Sequence, residues 1–168
     1  MNKDNLRMLK NHFMARWAVL RHNHKNSNKI LTTIDFFVLH NLNKGTTLCY
    51  ECLGEVYHGI VEQVDTEPNG QYDNLVLLNN QHFKYKTINE IAAYATELSD
   101  RFLLPNGKLI ISFSHRFTVY DRVNLSIQSM QEQFIQQFKT FTLFKSMNLL
   151  KKSNPGYGDY FFCLVKNA

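Results

Sequence analysis

Apolar and polar residues alternate along the second half of the chain in blocks that predict strands separated by helices. The apolar runs at 72–78 and 108–113 predict two strands. Between them, apolar side chains recur every three or four residues from 87 to 104, which indicates an amphipathic helix. Thr87-x-x-Glu90 at the start of this helix is a capping box, in which side chains satisfy exposed backbone N–H groups.

The same alternation continues to the end of the chain. Residues 123–138 again show helical spacing of apolar positions, and residues 140–150 and 159–166 predict two strands that pair as an antiparallel hairpin. Strands that alternate with helices imply a mostly parallel sheet with helices on both faces. In such sheets, ligands bind outside the carboxyl ends of the strands.

The first 45 residues have a different character. Two helices are predicted, at about 3–22 and 29–41, and apolar residues of the first recur on one face, from Leu6 to Leu20. Residues 1–30 contain seven Lys or Arg and one acid, a net charge of +6, whereas the whole chain carries +5, so the other residues sum to −1. This basic segment predicts a helix packed on the domain, a contact with the phosphates of a nucleic acid, or a helix on a membrane surface.

Composition bounds the class of protein. With 168 residues and 44% hydrophobic content, the chain is predicted to be one globular domain, divided into a basic helical part at 1–45 and an α/β core at 46–168. Its three cysteines, an odd number, do not indicate a disulfide framework, and they fit a reducing, cytoplasmic setting. Cys49-x-x-Cys52 falls within a predicted strand at 46–52, where side chains three apart point to opposite faces. These cysteines are therefore interpreted as packing residues, and no metal site is predicted.

Candidate chemistry lies at the predicted carboxyl ends of the strands. After the strand at 46–52 comes a loop with Gly54 and Gly59, and a short strand at 60–65 ends at Asp65. Neither a G-x-G-x-x-G nor a P-loop motif is present. Asn79, Asn80 and His82 follow the strand at 72–78, and His115 follows the strand at 108–113. Either histidine could accept a proton during catalysis, although loops at strand ends are commonly polar for structural reasons alone.

The run Tyr72-Asp73-Asn74-Leu75-Val76-Leu77-Leu78, the helix after it, Leu103-Leu104-Pro105-Asn106-Gly107-Lys108-Leu109-Ile110-Ile111-Ser112 and the final hairpin resemble the C-terminal half of class I S-adenosylmethionine-dependent methyltransferases. The resemblance covers residues 72–166 and places 72–78 as the fourth strand of that family. It implies a three-layer Rossmann-like fold, S-adenosylmethionine as cofactor and a methyl acceptor, small or macromolecular, that it does not identify. It also implies cofactor-binding roles, which fall on Glu51, Gly54, Gly59, Asp65, Asn79 and Asn80. The catalytic role of proton acceptor is assigned to His82 or His115 from their position after the strands.

The N-terminal half departs from the family. Only 26 residues separate Gly45 from Tyr72, whereas two strand–helix units need about 60, at roughly 30 residues for each βαβ unit. The sheet is therefore predicted to be shortened in the strand 2–3 region, and the cofactor pocket is either reduced or lost. Three functions stay open: a small methyltransferase, a non-catalytic binding or regulatory relative, and a nucleic-acid-binding module that uses the basic helix. An exposed sheet edge could also pair with a second copy to form a homodimer.

Overall fold

The computed structural model describes residues 33–50, 63–78, 81–83, 86–113, 127–148 and 160–168, together with Phe13, Met14, Trp17, Leu20 and Arg21. Within these residues the chain forms three α-helices longer than one turn, six strands and one 3-10 turn. The helices are α1 (Thr33–Asn41), α2 (Ile88–Phe102) and α3 (Ile127–Gln136), and the 3-10 turn is Gln81–Phe83. The strands are β1 (Thr46–Cys49), β2 (Gln63–Asp65), β3 (Tyr72–Leu78), β4 (Leu103–Phe113), β5 (Phe141–Asn148) and β6 (Tyr160–Lys166).

The six strands form one sheet in the order β2-β1-β3-β4-β6-β5. The pairs β1–β2, β1–β3 and β3–β4 are parallel, with Val76 opposite Ile110 at the centre. Strand β6 runs antiparallel between β4 and β5. The predicted parallel sheet and its C-terminal antiparallel hairpin are therefore confirmed.

Helices cover both faces of this sheet, which gives three layers. Successive residues of each strand point to opposite faces, so Leu75 and Leu77 lie under α2 and α3, whereas Val76 lies under α1. On the α1 side, Phe37 meets Phe161 edge to face, with ring centroids 4.1 Å apart. Both faces of the central strands are apolar because both are buried, and this confirms the predicted Rossmann-like α/β class.

The predicted shortening of the N-terminal half is also confirmed. The strand that the sequence resemblance aligns with the family's fourth is the third of the strands that the structure describes. Residues 66–71 alone connect β2 to β3, and they contain no helix. One strand and its crossover helix are thus absent from this connection.

Two boundaries differ from the sequence predictions. Strand β1 ends at Cys49, and Tyr50 already lies in a turn, although its N–H still donates to the Val76 carbonyl at 3.1 Å. Strand β4 begins at Leu103, directly after α2, because Leu103 pairs with Tyr72 across a register shift. Residues 105–107, between the predicted helix at 87–104 and the predicted strand at 108–113, therefore form an irregularity inside β4, where Asn106 takes a φ of 63°.

The amino ends of β1 and β3 are held together by the side chains that follow Tyr72. Asn74 is fully buried, accepts the N–H of Asn43 at 2.7 Å and donates to the Asn43 carbonyl at 3.0 Å. One Asp73 carboxylate oxygen accepts the N–H of Thr46 at 2.9 Å. Gly45 has a φ of 125°, and a Cβ there would overlap the Asp73 carboxylate, so glycine is required at this position. These contacts fix the chain between α1 and β1 against β3.

The described residues of the N-terminal segment are helical but not buried. Phe13, Trp17 and Leu20 belong to the predicted apolar face, and their exposed fractions are 58%, 70% and 62%. The prediction that this face packs on the domain is therefore wrong for these three residues. None of the described helices is long and apolar enough to cross a bilayer.

Candidate functional site

The candidate site is the edge of the sheet at which β1, β2, β3 and β4 end. Because these strands are parallel, Cys49, Asp65, Leu78 and Phe113 all end their strands toward the same edge. Asp65 lies level with Leu48 and Leu75, three residues before the end of β3. Two of the predicted site residues, Asp65 and His82, belong to the described residues. The others lie outside the described residues, and they are Glu51, Gly54, Gly59, Asn79, Asn80 and His115.

Asp65 is the last residue of β2 and is exposed. Its Oδ2 accepts a hydrogen bond from the Tyr72 hydroxyl at 2.8 Å, and the same hydroxyl oxygen accepts the Asn69 N–H at 2.8 Å. Burial, and then the hydrogen bond to Asp65, raises the pKa of Tyr72, so this phenol stays a donor at neutral pH. The bond engages only one carboxylate oxygen, and Oδ1 retains its capacity to accept hydrogen bonds from a ligand hydroxyl.

His82 lies in the 3-10 turn that follows β3, and its side chain is exposed. The imidazole lies against the Tyr94 ring, with centroids 5.1 Å apart and the planes tilted by 33°. Buried Phe83 anchors the turn and lies edge to face with the same tyrosine, with ring centroids 6.2 Å apart. The structure thus gives His82 a defined support on α2 at the carboxyl edge.

The start of α2 also faces this edge, and side chains of the helix itself cap its first N–H groups. The Thr87 hydroxyl accepts the Glu90 N–H at 3.2 Å, and a Glu90 carboxylate oxygen accepts the Thr87 N–H at 2.7 Å, so the predicted capping box is confirmed. These hydrogen bonds lower the pKa of Glu90, which keeps a negative charge at the helix start. At this helix end, the N–H groups of Thr87 and Glu90 are therefore engaged by side chains, and a carboxylate carries negative charge.

Sequence reasoning missed one residue near the site, Gln131. Its side chain is buried, and its Nε2 has no hydrogen-bond partner in the described part of the chain. Helix α3 runs from the carboxyl end of β4 back toward the start of β5, and one turn after Gln131 the Phe134 ring lies 4.9 Å from Phe113. The unpaired amide therefore lies close to the end of β4. Buried polar groups are nearly always paired, so this amide is unusual. The sequence does not reveal it, because a single glutamine in an amphipathic helix gives no sign of being buried.

The described cysteines are packing residues, as predicted. Cys49 and Cys163 are fully buried within the core under α1, and burial raises the pKa of Cys163 to about 11. Cys52 lies outside the described residues. Among those that the structure describes, no three His, Cys, Asp or Glu side chains are placed to hold a metal ion.

Known structures share this arrangement of strands. A phosphoethanolamine N-methyltransferase 2 from Haemonchus contortus, solved with phosphomonomethylethanolamine and S-adenosylhomocysteine, superposes on 77% of the chain with a TM-score of 0.51 and 14% identity. A fibrillarin pre-rRNA processing protein from Methanococcus jannaschii superposes on 84% of the chain with a TM-score of 0.50 and 9% identity. The chain has a class I methyltransferase-like fold.

At this level of identity, the likeness shows the methyltransferase-like fold and not the reaction. The chain spans 35% of the length of the Haemonchus protein and 76% of that of the Methanococcus protein. The sequence matches no family model, and no curated protein sequence is significantly similar to it. Any role for this methyltransferase-like sheet must therefore be argued from its own residues.

Two described features of the carboxyl edge bear on the chemistry of a ligand. An exposed carboxylate at the end of β2 provides an acceptor for ribose hydroxyls. The capped, negatively charged start of α2 disfavours a phosphate there.

Proposed function

We propose that this chain binds S-adenosylmethionine at the carboxyl edge of β1–β4 and transfers its methyl group to an acceptor. The observation that carries the proposal is the methyltransferase-like order of the parallel strands, with the Asp65 carboxylate at the end of β2. In open α/β sheets, the ligand lies outside the carboxyl ends of the strands. The same edge therefore holds both the cofactor and the acceptor.

The residues divide into two roles. Asp65 Oδ1 accepts hydrogen bonds from the ribose, while Oδ2 stays bonded to Tyr72. The loop with Glu51, Gly54 and Gly59 borders the rest of the cofactor, and Asn79 and Asn80 border the methyl group. These assignments follow the sequence resemblance.

When bound, S-adenosylmethionine would supply a methyl carbon on a positively charged sulfur. The acceptor's lone pair would form a bond to that carbon as the carbon–sulfur bond breaks, and S-adenosylhomocysteine would leave. The chain's part is to align the acceptor and to accept its proton, and His82 or His115 fills the second role. His82 is supported for this by its contact with Tyr94, which holds the imidazole after β3.

Cofactor binding is tested by thermal unfolding of the full chain with S-adenosylmethionine and with S-adenosylhomocysteine. A ligand at 100 times its Kd adds about 2.7 kcal/mol of stability, which corresponds to a rise in Tm of roughly 5–10 °C for a chain of this size. Asp65→Asn should weaken binding, because an amide is a poorer partner for hydroxyl donors. Tyr72→Phe is the control for the internal hydrogen bond. It removes the bond to Asp65, and with it the acceptor of the Asn69 N–H, but leaves the carboxylate in place.

A non-catalytic relative that has lost the cofactor is the second candidate. It is favoured by the connection at 66–71, which is too short to contain the helix of a full strand–helix unit. In that case neither ligand raises the Tm of the unsubstituted chain, of Asp65→Asn or of Tyr72→Phe. This result would overturn the methyltransferase proposal.

A further inference from the structure

One face of the N-terminal segment exposes large apolar side chains. Phe13, Met14, Trp17, Leu20 and Arg21 are all helical and exposed, and we call these five residues the N-terminal stripe. Their spacing of one, three, three and one places them on a single side of a helix. The four apolar members have exposed fractions of 58%, 61%, 70% and 62%.

We propose that the N-terminal stripe binds the surface of anionic membranes, with its apolar side chains in the lipid headgroup region. Four neighbouring large apolar side chains are rarely left in water by chance, and such patches mark interaction sites. Tryptophan and phenylalanine are favoured at the boundary between headgroups and acyl chains. The charge agrees, because residues 1–30 carry a net charge of +6, and Arg21 lies one turn after Trp17 on the exposed face.

The same observations argue against the other occupants of this face. Phosphates of a nucleic acid are bound by Lys and Arg, whereas four of the five residues in the stripe are apolar and would stay in water. A second copy would bury the apolar residues but would bring two segments of +6 together, which repel each other. An anionic membrane satisfies both the apolar side chains and the positive charge.

The chain contains a single tryptophan, so the fluorescence of Trp17 reports directly on the stripe. The full chain is titrated with phosphatidylcholine vesicles and with vesicles that also contain 30 mol% phosphatidylserine (about a third anionic lipid). We expect a blue shift and protection from acrylamide quenching, both much stronger with the anionic vesicles and weakened by salt.

Two pairs of variants separate the apolar and the charged contributions. Leu20→Ser should weaken vesicle binding about tenfold, whereas Phe144→Ser, which removes an equally exposed apolar side chain (57%) from β5, should leave it unchanged. Arg21→Gln should weaken binding to anionic vesicles about fivefold, whereas Lys139→Gln, also an exposed cation, should not. All four substitutions are at exposed positions, so circular dichroism should show unchanged folding.

Three results would overturn the proposal. One is an emission spectrum of Trp17 that anionic vesicles leave unchanged. The second is binding of single-stranded RNA that shifts Trp17 emission when vesicles do not, which assigns the segment to nucleic acid. The third is a blue shift that depends on protein concentration without lipid, together with dimers in sedimentation, which assigns the stripe to a second copy.

Discussion

Replacing Asn74 by leucine should destabilise the protein more than most single substitutions, although the side chain takes no part in the proposed site. The amide is fully buried, and its oxygen accepts the Asn43 N–H at 2.7 Å. Its nitrogen donates to the Asn43 carbonyl at 3.0 Å and has Thr46 O at 3.3 Å and Thr47 Oγ1 at 3.2 Å. Because the nitrogen has two hydrogens, we count three effective hydrogen bonds.

Leucine is close to asparagine in size, so the loss comes mainly from hydrogen bonding. Three bonds at about 1 kcal/mol each, with buried backbone groups left unpaired, give a loss of about 3–5 kcal/mol in the free energy of unfolding. Total stabilities of about 5–15 kcal/mol are usual, so this loss is a large fraction. Urea unfolding followed by circular dichroism measures it from the shift of the midpoint.

Asn43→Ala is the matched control for this measurement. It keeps the backbone groups that Asn74 binds and removes only an exposed hydrogen bond from Asn43 Nδ2 to the Asn106 carbonyl at 3.2 Å. We expect a loss below about 1 kcal/mol. If Asn74→Leu costs no more than Asn43→Ala, the network does not hold β1 against β3, and the reasoning fails.

Four further predictions follow from single contacts. Gly45→Ala should cost roughly 2–5 kcal/mol in urea unfolding, from positive φ and from overlap with Asp73, and a neutral result would contradict the backbone geometry. Gln131→Met should raise stability by about 1–3 kcal/mol, because it removes an unpaired buried amide; a loss in unfolding experiments would show that this amide is paired. The pKa of Glu90 is lowered from its ordinary value of 4.5. The stability that its carboxylate contributes is therefore present above pH 4.5 and is lost as the pH falls through the lowered pKa. Glu90→Gln should reduce the pH dependence of Tm below 4.5. Cys163, with a pKa raised to about 11, should react with a disulfide reagent at neutral pH only after unfolding, and rapid labelling of the native protein would refute its burial.

Periodic sequence patterns were sufficient to predict the core. The helical stripe that begins at Ile88 and Ile91 is buried in α2, and the apolar run at 75–78 is buried on both faces of the sheet. These predictions succeed because period and burial are set by local backbone geometry. The carboxyl edge could be located for the same reason, since the order of strands and helices fixes where parallel strands end.

Contacts between residues distant in sequence could not be predicted. Asn74 binds Asn43 across 31 positions, and nothing in either neighbourhood signals the other. The start of β4 at Leu103 depends on its pairing with Tyr72, which competes with the local turn preference at 105–107. The apolar face of the first helix was correctly recognised as a face, but periodicity does not say what covers it. The exposure of the N-terminal stripe therefore contradicts the predicted packing on the domain, but not the prediction of an apolar helix face.

The short connection between β2 and β3 explains why Asp65 is bonded to Tyr72. The chain must return from the carboxyl end of β2 to the amino end of β3 across β1, and residues 66–71 span at most roughly 20 Å. The Tyr72 hydroxyl therefore reaches both Asp65 and Asn69. Without a crossover helix on this side, β2 is left as an edge of three residues. An edge strand of this length offers few hydrogen bonds to a second copy. The predicted homodimer would therefore need another surface in addition to this edge.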